Sequence, residues 1–305
     1  MRRAAGLAIA LIVAAAVLRS AAQDLRFRST SDLVRIYATV TREDGQHVRG
    51  LTTADFRVFD NGQPRDITAF SNDIQPITVA LIVDQSGSML RQLPRVGAAA
   101  EAFVAALLPG DRASFSTLTH EGVPLTSDTW KLRNAIRTAA SWRWWDTGSP
   151  IYGALDREMT ALAVEGGRRV LVVITDGEDT RSAYASRPPA GGPERPVVFS
   201  NATGEDVSRR AAREGFMLYA LGFKGSALDE SLQAIVRQSG GGVDLIGPNE
   251  NLSVAFTDIV EDLHRQYLLG FVPASFDGTT HAISVQCLKT GTTVRARESY
   301  FSDIR

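Results

Sequence analysis

Acidic and hydroxyl side chains stand at three points of this 305-residue chain where a ligand site is expected. Asp84, Ser86 and Ser88 come directly after one apolar segment that predicts a buried strand, and Asp176 comes directly after another. Between them, the segment 146–149 (Asp-Thr-Gly-Ser) precedes a predicted helix and offers a further hydroxyl. Ligands of an open parallel sheet bind beyond the carboxyl ends of its strands. These residues are therefore the first candidates for a binding site.

The donor atoms at these positions are carboxylate and hydroxyl oxygens. Hard oxygen donors suit a magnesium-class cation and argue against zinc or copper. The two-residue spacing of Asp84, Ser86 and Ser88 lets three side chains point at one ion, while Gly87 relieves backbone strain. An octahedral ion has six coordination positions, with ligands at about 2.0–2.1 Å. So few protein donors leave at least one of these positions open. A carboxylate from a partner would then complete the coordination shell.

These motifs resemble the metal-ion-dependent adhesion site of the von Willebrand factor A family. Asp84-x-Ser86-x-Ser88 and the later Thr175-Asp176-Gly177 match the family pattern without adjustment. Aligning the segment 148–152 (Gly-Ser-Pro-Ile-Tyr) with the family's Gly-Thr-x-Leu-Tyr puts Ser149 in the third loop, and Thr147 is the alternative if that loop is shifted. The ligand set implied by the resemblance is Asp84, Ser86, Ser88, Ser149 and Asp176.

The resemblance also implies how such a site works. In the family the two serines and the loop hydroxyl bind the ion directly, and the aspartates act mostly through waters. We therefore expect Mg²⁺, with Mn²⁺ or Ca²⁺ as alternatives, and a protein partner that offers an Asp or Glu carboxylate. The fold implied is a doubly wound parallel, Rossmann-like α/β sheet.

A narrower likeness extends to both flanks of the chain. The segments 50–62, 267–271 and 295–300 are similar to those of exported bacterial VWFA-related proteins common in Acidobacteria, although Ser299 stands where Gly is usual. The likeness covers nearly all of residues 32–301. That group has no single agreed activity, so it implies a fold and a metal site.

The first 22 residues have the pattern of a secretory signal peptide. A positive start, the apolar run 4–18 and the small residues Ser20-Ala21-Ala22 predict cleavage after Ala22. The run is shorter than the roughly 20 residues that span a bilayer, although a retained anchor is the alternative. We expect an exported protein, periplasmic or extracellular, with no membrane span after cleavage.

Composition excludes several classes of protein. Hydrophobic residues make up 44% and charged residues 22%, as in globular domains. With 33 basic and 34 acidic residues there is no polybasic excess, so nucleic acid is not the expected partner. A single cysteine, Cys287, excludes an intramolecular disulfide.

Hydrophobic periodicity divides the mature chain into three parts. Residues 23–75 and 266–305 alternate apolar with polar residues as half-buried strands do, whereas residues 76–265 alternate short apolar runs with helical patterns. Each terminal part is too small to bury a core alone. We therefore predict that they pair into one discontinuous β domain, with a doubly wound α/β domain inserted between them. Within the first part, Phe56–Phe59 and Ile67–Phe70 are predicted to form a hairpin around Asn61-Gly62.

Two other functions were weighed against a binding module. A structural or assembly subunit of the cell envelope would use the metal only to hold its loops. A serine hydrolase would use Ser86 or Ser88 as nucleophile and His120 as base, but no Gly-x-Ser-x-Gly motif is present, so we expect no enzyme. Trp142, Trp144 and Trp145 either pack on the domain surface or form an exposed anchor for a partner.

Overall fold

The computed structural model describes residues 33–141, 149–180, 200–226 and 228–304. The predicted signal peptide and the three tryptophans at 142–145 lie outside these residues. The described strands are β1 (Val34–Arg42), β2 (Phe56–Asp60), β3 (Gln63–Arg65), β4 (Ala69–Ser71), β5 (Ile77–Val83), β6 (Arg112–Thr117), β7 (Val123–Thr126), β8 (Arg168–Ile174), β9 (Met217–Phe223), β10 (Val243–Ile246), β11 (Tyr267–Phe271), β12 (Thr280–Cys287), β13 (Thr292–Arg295) and β14 (Ser299–Phe301). The described α-helices are α1 (Leu93–Ala106), α2 (Thr129–Ser141), α3 (Ile151–Leu162), α4 (Gly204–Glu214), α5 (Glu230–Gln238) and α6 (Leu252–His264). None of these helices is long and apolar enough to cross a membrane.

A six-stranded sheet with the order β10-β9-β8-β5-β6-β7 occupies the centre of the α/β part. Its strands pair in parallel except β7, which runs antiparallel to β6 at the edge. Successive residues of a strand face opposite sides of its sheet. In β5, Leu81 accordingly packs into the core on one face, and its neighbours Ala80 and Ile82 pack into the core on the other.

Helices cover both faces of this sheet. Helices α1, α2 and α6 bury Phe103, Leu132 and Phe256 on one face. Helices α3, α4 and α5 cover the other face. Strands that are apolar on both faces need this double cover. The predicted doubly wound α/β fold is therefore confirmed.

Two four-stranded antiparallel sheets join the two ends of the chain. Their orders are β13-β1-β11-β4 and β14-β12-β2-β3, so each contains strands from before and after the α/β part. Ile36 of β1 stands opposite Leu269 of β11, and Val58 of β2 stands opposite Val285 of β12. The two sheets share one hydrophobic core, against which the partly buried Cys287 packs. Strands from the two ends of the chain thus form one β unit, and the α/β part lies between those ends in sequence.

The predicted hairpin partner of β2 is wrong. Asn61 and Gly62 both have positive φ, at 49° and 77°, which is the backbone of a tight two-residue turn. Such a turn pairs the residues that follow it at once, so Gln63 stands opposite Asp60 in β3. The later segment β4 instead pairs with β11 in the other sheet. The edge strand β7, which contains Pro124, was not predicted either, since proline disfavours a strand except at an edge.

Asp262 of α6 connects the α/β part to the β unit. It is buried, and its Oδ1 accepts a hydrogen bond of 2.8 Å from the Thr39 hydroxyl of β1. Its Oδ2 accepts hydrogen bonds from the Tyr219 hydroxyl of β9 and from the Arg295 guanidinium of β13. The Asp262 carboxylate therefore contacts β9 of the α/β part and the strands β1 and β13 of the β unit.

Replacing this carboxylate is expected to destabilise the fold. Asp262→Ala leaves the Arg295 guanidinium without its ion-pair partner, and breaking a buried pair from one side costs on the order of 3 kcal/mol. Urea unfolding of the mature protein measures the loss. Asp258→Ala removes an exposed carboxylate one helical turn earlier, and its effect is expected to stay within about 0.5 kcal/mol. Equal stabilities of the two variants would contradict this role of Asp262.

A buried histidine links the two ends of the chain within the β unit. His281 is 4% exposed, with Nδ1 2.8 Å from Asp60 Oδ1 and Nε2 3.1 Å from Asp277 Oδ2. The Tyr300 hydroxyl lies 3.1 Å from Nδ1, and Arg65 donates to the other oxygen of Asp60. Burial lowers the pKa of His281, but the hydrogen bonds with the two aspartates outweigh it, so the pKa lies above its ordinary value of 6.5.

The raised pKa predicts a pH-dependent contribution to stability. Protonated His281 stabilises the folded state, so this contribution is complete below a pH of about 6.5 and is lost as the pH rises through the raised pKa. His281→Gln removes it. We expect the difference in unfolding free energy between wild type and variant to shrink with rising pH, when both are unfolded in urea between about pH 5.5 and about pH 9. A difference that stays constant over that range would contradict it.

Candidate metal centre

Two neighbouring strands bring the first two candidate segments together. Strands β5 and β8 pair in parallel up to Val83 and Ile174, so both end at the same edge of the sheet. The ladder continues one step further, because the Asp84 amide donates to the Ile174 carbonyl at 2.9 Å. Asp84 and Thr175 therefore leave the sheet side by side. The first strand supplies Asp84 and the second leads into Asp176.

The Asp84 carboxylate lies at the base of the site. It is 0% exposed, and its Oδ1 accepts the Ser86 amide at 2.7 Å. Its Oδ2 accepts the Thr175 hydroxyl at 2.6 Å and the Ser149 hydroxyl at 3.3 Å. Burial raises the pKa of the Asp84 carboxyl, and the charge of Asp176 adds to that rise against the hydrogen bonds. A cation beside it would offset both effects, because it favours the ionised form.

The remaining candidates lie above this base. The hydroxyl oxygens of Ser86 and Ser88 are 3.1 Å apart, and the Ser88 hydroxyl donates to Asp176 Oδ1 at 2.9 Å. Ser86 is buried, whereas Ser88 is exposed and Asp176 is partly exposed. The group of candidate ligands is thus buried on the side of Asp84 and Ser86 and exposed to solvent on the side of Ser88.

The third loop is fixed by the segment that follows Asp176. The Ser149 amide donates to the Thr180 hydroxyl at 2.6 Å, and the Thr180 amide donates back to the Ser149 carbonyl at 3.1 Å. Asp179 accepts the Tyr152 amide at 3.2 Å in the first turn of α3. The structure therefore brings Ser149 to the other candidates, while the alternative Thr147 lies outside the described residues.

The donor set fits a small hard cation. Neighbouring ligands of an octahedral ion at about 2.0–2.1 Å stand about 3 Å apart. Two oxygen–oxygen distances in the structure match this spacing. They are 3.1 Å between the hydroxyls of Ser86 and Ser88, and 2.9 Å between Ser88 and Asp176. Within the described parts of the chain, no cluster of three or more His, Cys, Asp or Glu side chains could hold a metal. Any cation at this site would be held mainly by hydroxyl oxygens, with two carboxylates.

Three positioning residues were not predicted from the sequence. Thr175 holds Asp84, Thr180 holds the Ser149 loop, and Asp179 caps α3. The signal for Thr175 is a hydroxyl residue at the very end of an otherwise apolar buried strand, where a buried polar group needs a partner.

The sequence model of the von Willebrand factor type A domain matches residues 78–258, which is more than half of the chain. The chain belongs to the von Willebrand factor type A domain family. The matched residues include all five candidate ligands, so the resemblance read from Asp84-x-Ser86-x-Ser88 and Thr175-Asp176-Gly177 is confirmed at the level of the family. No relative among curated proteins matches the sequence.

Several solved structures are similar to this von Willebrand factor A protein at low identity. The vWF domain of the type V pili tip protein Mfa5 from Porphyromonas gingivalis is 16% identical, with a TM-score of 0.45 over 62% of this chain and 95% of that one. The pilus adhesin SpaC from Lactobacillus rhamnosus GG is 13% identical, with a TM-score of 0.46 over 82% of this chain and 41% of that one. The human COPII-coat protein Sec24c is 11% identical, with a TM-score of 0.45 over 77% and 44% of the two chains.

The role assigned to Thr175 can be tested without a metal. Thr175→Val keeps the shape of the side chain but removes the donor to the buried Asp84 carboxylate, which is expected to lower the free energy of unfolding by about 1–3 kcal/mol. Urea unfolding in buffer free of divalent cations measures it. Thr175→Ser keeps the hydroxyl and is expected to lose about 1 kcal/mol or less, for the missing methyl group. A serine variant less stable than the valine variant would contradict this assignment.

Proposed function

We propose that this chain is an exported protein-binding module whose binding depends on a divalent cation. Mg²⁺ is held by Asp84, Ser86, Ser88, Ser149 and Asp176, and it accepts an Asp or Glu carboxylate of a protein partner. The signal-peptide pattern of residues 1–22 supports export. In this proposal residues 76–265 bind the partner, and residues 23–75 and 266–305 form the β domain that carries them.

The observation that carries the proposal is the convergence of five oxygen-bearing side chains from three loops. They come from sequence positions up to 92 residues apart, yet contacts of 2.7–3.3 Å connect all five residues, one of them through the Ser86 amide. Asp84 lies on the buried side of this group and Ser88 on its exposed side. An ion bound there would be reachable by a partner only from the solvent side.

The charge of the site favours a carboxylate as the incoming ligand. Three of the five donors are neutral hydroxyls, so a divalent ion keeps its attraction for a further anion beside Asp84 and Asp176. A hard cation with open positions takes oxygen ligands in preference to nitrogen or sulfur. A Glu or Asp side chain of a partner supplies both the charge and the oxygen.

The contacts of the serines support binding rather than catalysis. A nucleophilic serine needs a base within hydrogen-bond reach. The hydroxyls of Ser86 and Ser88 contact each other, and Ser88 donates to Asp176. His120, the base that a hydrolase was expected to use, has its Nδ1 2.8 Å from the hydroxyl of Thr119. In this proposal the module has no enzymatic activity.

Calorimetric titration of the mature protein with Mg²⁺ tests the metal site. We expect one saturable binding event that Asp84→Ala abolishes and Ser88→Ala weakens by about tenfold or more, since it removes one ligand at the exposed edge. Asp66→Ala, which removes an exposed carboxylate of the β unit, is the matched control and should leave binding unchanged. Equal binding by Asp84→Ala and wild type would overturn the proposal.

Partner capture separates adhesion from a purely structural role of the metal. Wild type and Ser88→Ala are each incubated with envelope extract in Mg²⁺ and again in chelator. An adhesive module retains a protein only as wild type with Mg²⁺. If chelation lowers the melting temperature but releases no protein, the metal only stabilises the loops and the chain is a structural subunit.

A further inference from the structure

A cavity lies at the opposite end of the central sheet from the candidate metal centre. It has a volume of about 440 Å³ and is bordered by the first residues of β8 and β9, including Arg168 and Met217. The metal candidates follow the carboxyl ends of the strands, so this cavity is at their amino ends. Tyr37 of β1 and Tyr300 of β14 close it from the side of the β unit. The cavity therefore lies between the two parts of the protein.

Its lining is strongly basic. Five arginines border the cavity, and the acidic residues among its lining are Glu214 and Asp303. The arginines are Arg35, Arg168, Arg169, Arg213 and Arg297. Glu214 is already neutralised, because its carboxylate accepts a hydrogen bond of 2.7 Å from Arg210 outside the cavity. The cavity thus carries an excess of positive charge.

Arg297 is the arginine of this lining that is most affected by the excess of positive charge. Its Nε is buried without a hydrogen-bond partner, and no ion pair of its guanidinium is found among the described residues. Its Nη1 lies 3.3 Å from the place where a side chain at Gly215 would begin, and both residues border the cavity. Burial lowers the pKa of Arg297 to about 10, against the opposing influence of Tyr300 and Tyr37. An arginine stays protonated at neutral pH, so this guanidinium is a partly buried charge that has no anion among the described residues.

The backbone that carries Arg297 is firmly held. The following amide, of Glu298, donates to the Gln238 carbonyl at 2.8 Å. Gly240 has φ +84°, and a side chain there would come within 2.5 Å of the Arg297 nitrogen, so only glycine permits this approach. The backbone at Arg297, in the short connection between β13 and β14, is therefore held against Gln238 and Gly240.

Two further arginines that line the same cavity are held in place by their own contacts. Arg168 donates to the carbonyls of Leu263 and Gln75, and its guanidinium lies over the Tyr37 ring at 5.0 Å. Arg169 lies over the Phe216 ring at 4.5 Å. The hydrogen-bond acceptors of both guanidiniums are neutral carbonyl oxygens, so neither arginine forms an ion pair within the part of the chain that the structure describes.

We propose that this cavity binds a small molecule through an oxyanion group, a carboxylate or a phosphate, with Arg297 as the direct contact and Arg168 and Arg169 as fixed charges around it. The planar guanidinium donates two parallel hydrogen bonds to such a group. The volume of about 440 Å³ is that of a small-molecule site. An anion in this place contacts both parts of the protein and so stabilises their association.

Thermal unfolding of the metal-free mature protein with inorganic phosphate or with citrate tests the site, against sodium chloride at equal ionic strength. We expect one or both anions to raise the melting temperature saturably, because a ligand of the folded state stabilises it. The anion that acts identifies the head group. Because the protein in this test contains no metal, the result does not depend on the proposed metal-dependent function. Either proposal can fail without the other.

Variants show whether the effect belongs to the cavity. Arg297→Gln should abolish the anion-dependent rise, and calorimetry should show at least tenfold weaker binding. Arg42→Gln removes an exposed arginine that does not border the cavity and should keep the full effect. If Arg297→Gln does not fold, Arg297→Lys keeps the charge without the planar fork and should bind at least tenfold more weakly.

Three results would overturn the proposal. The first is a wild-type melting temperature that neither phosphate nor citrate raises above the chloride control. The second is a rise that persists in the Arg297 variant that folds. The third is a rise that Arg42→Gln abolishes as well, since that would show a general effect of charge.

Discussion

The parallel pairing of β5 with β8 is the constraint on which the candidate site depends. It makes the two strands end together, so that the buried Asp84 carboxylate meets the Thr175 hydroxyl at 2.6 Å. Asp84 then orders the first loop through the Ser86 amide and the third loop through the Ser149 hydroxyl. A buried carboxylate must be hydrogen-bonded to remain charged. Its three donors are the contacts that bring the candidate ligands into one group.

The α/β part and the β unit are joined by polar and aromatic contacts as well as by the chain. Asp262 binds strands of both parts, and Arg168 and Arg213 each lie over an aromatic ring of the β unit. Arginine suits this interface because its flat, weakly hydrated guanidinium stacks on rings and still donates hydrogen bonds. The candidate metal centre and the basic cavity consequently lie at opposite ends of one rigid sheet. The length of the strands therefore separates the basic cavity from the candidate metal centre.

Most of the fold was predictable because the periodicity of apolar residues along the sequence follows which side chains become buried. The apolar runs that form most of β5 and β8 indicate strands covered on both faces, and the alternation in β1 indicates a strand covered on one face. The failures have local causes. The partner of β2 was misassigned because the apolar segment near Phe70 looked like a better strand than Gln63–Arg65, whose pairing is set by the turn. Burial therefore identifies strands more reliably than it identifies their partners.

The sequence by itself determined the family, the doubly wound α/β fold and the identity of Asp84, Ser86, Ser88 and Asp176 as candidates. It did so because these residues directly follow strands whose direction their own pattern indicates. The tertiary structure decided what depends on contacts between distant segments. It placed Thr180 as the support of the Ser149 loop, paired β4 with β11 in the other sheet, and left the Nε of Arg297 buried without a hydrogen-bond partner. No local pattern encodes these features, because each arises only when segments far apart in sequence pack together.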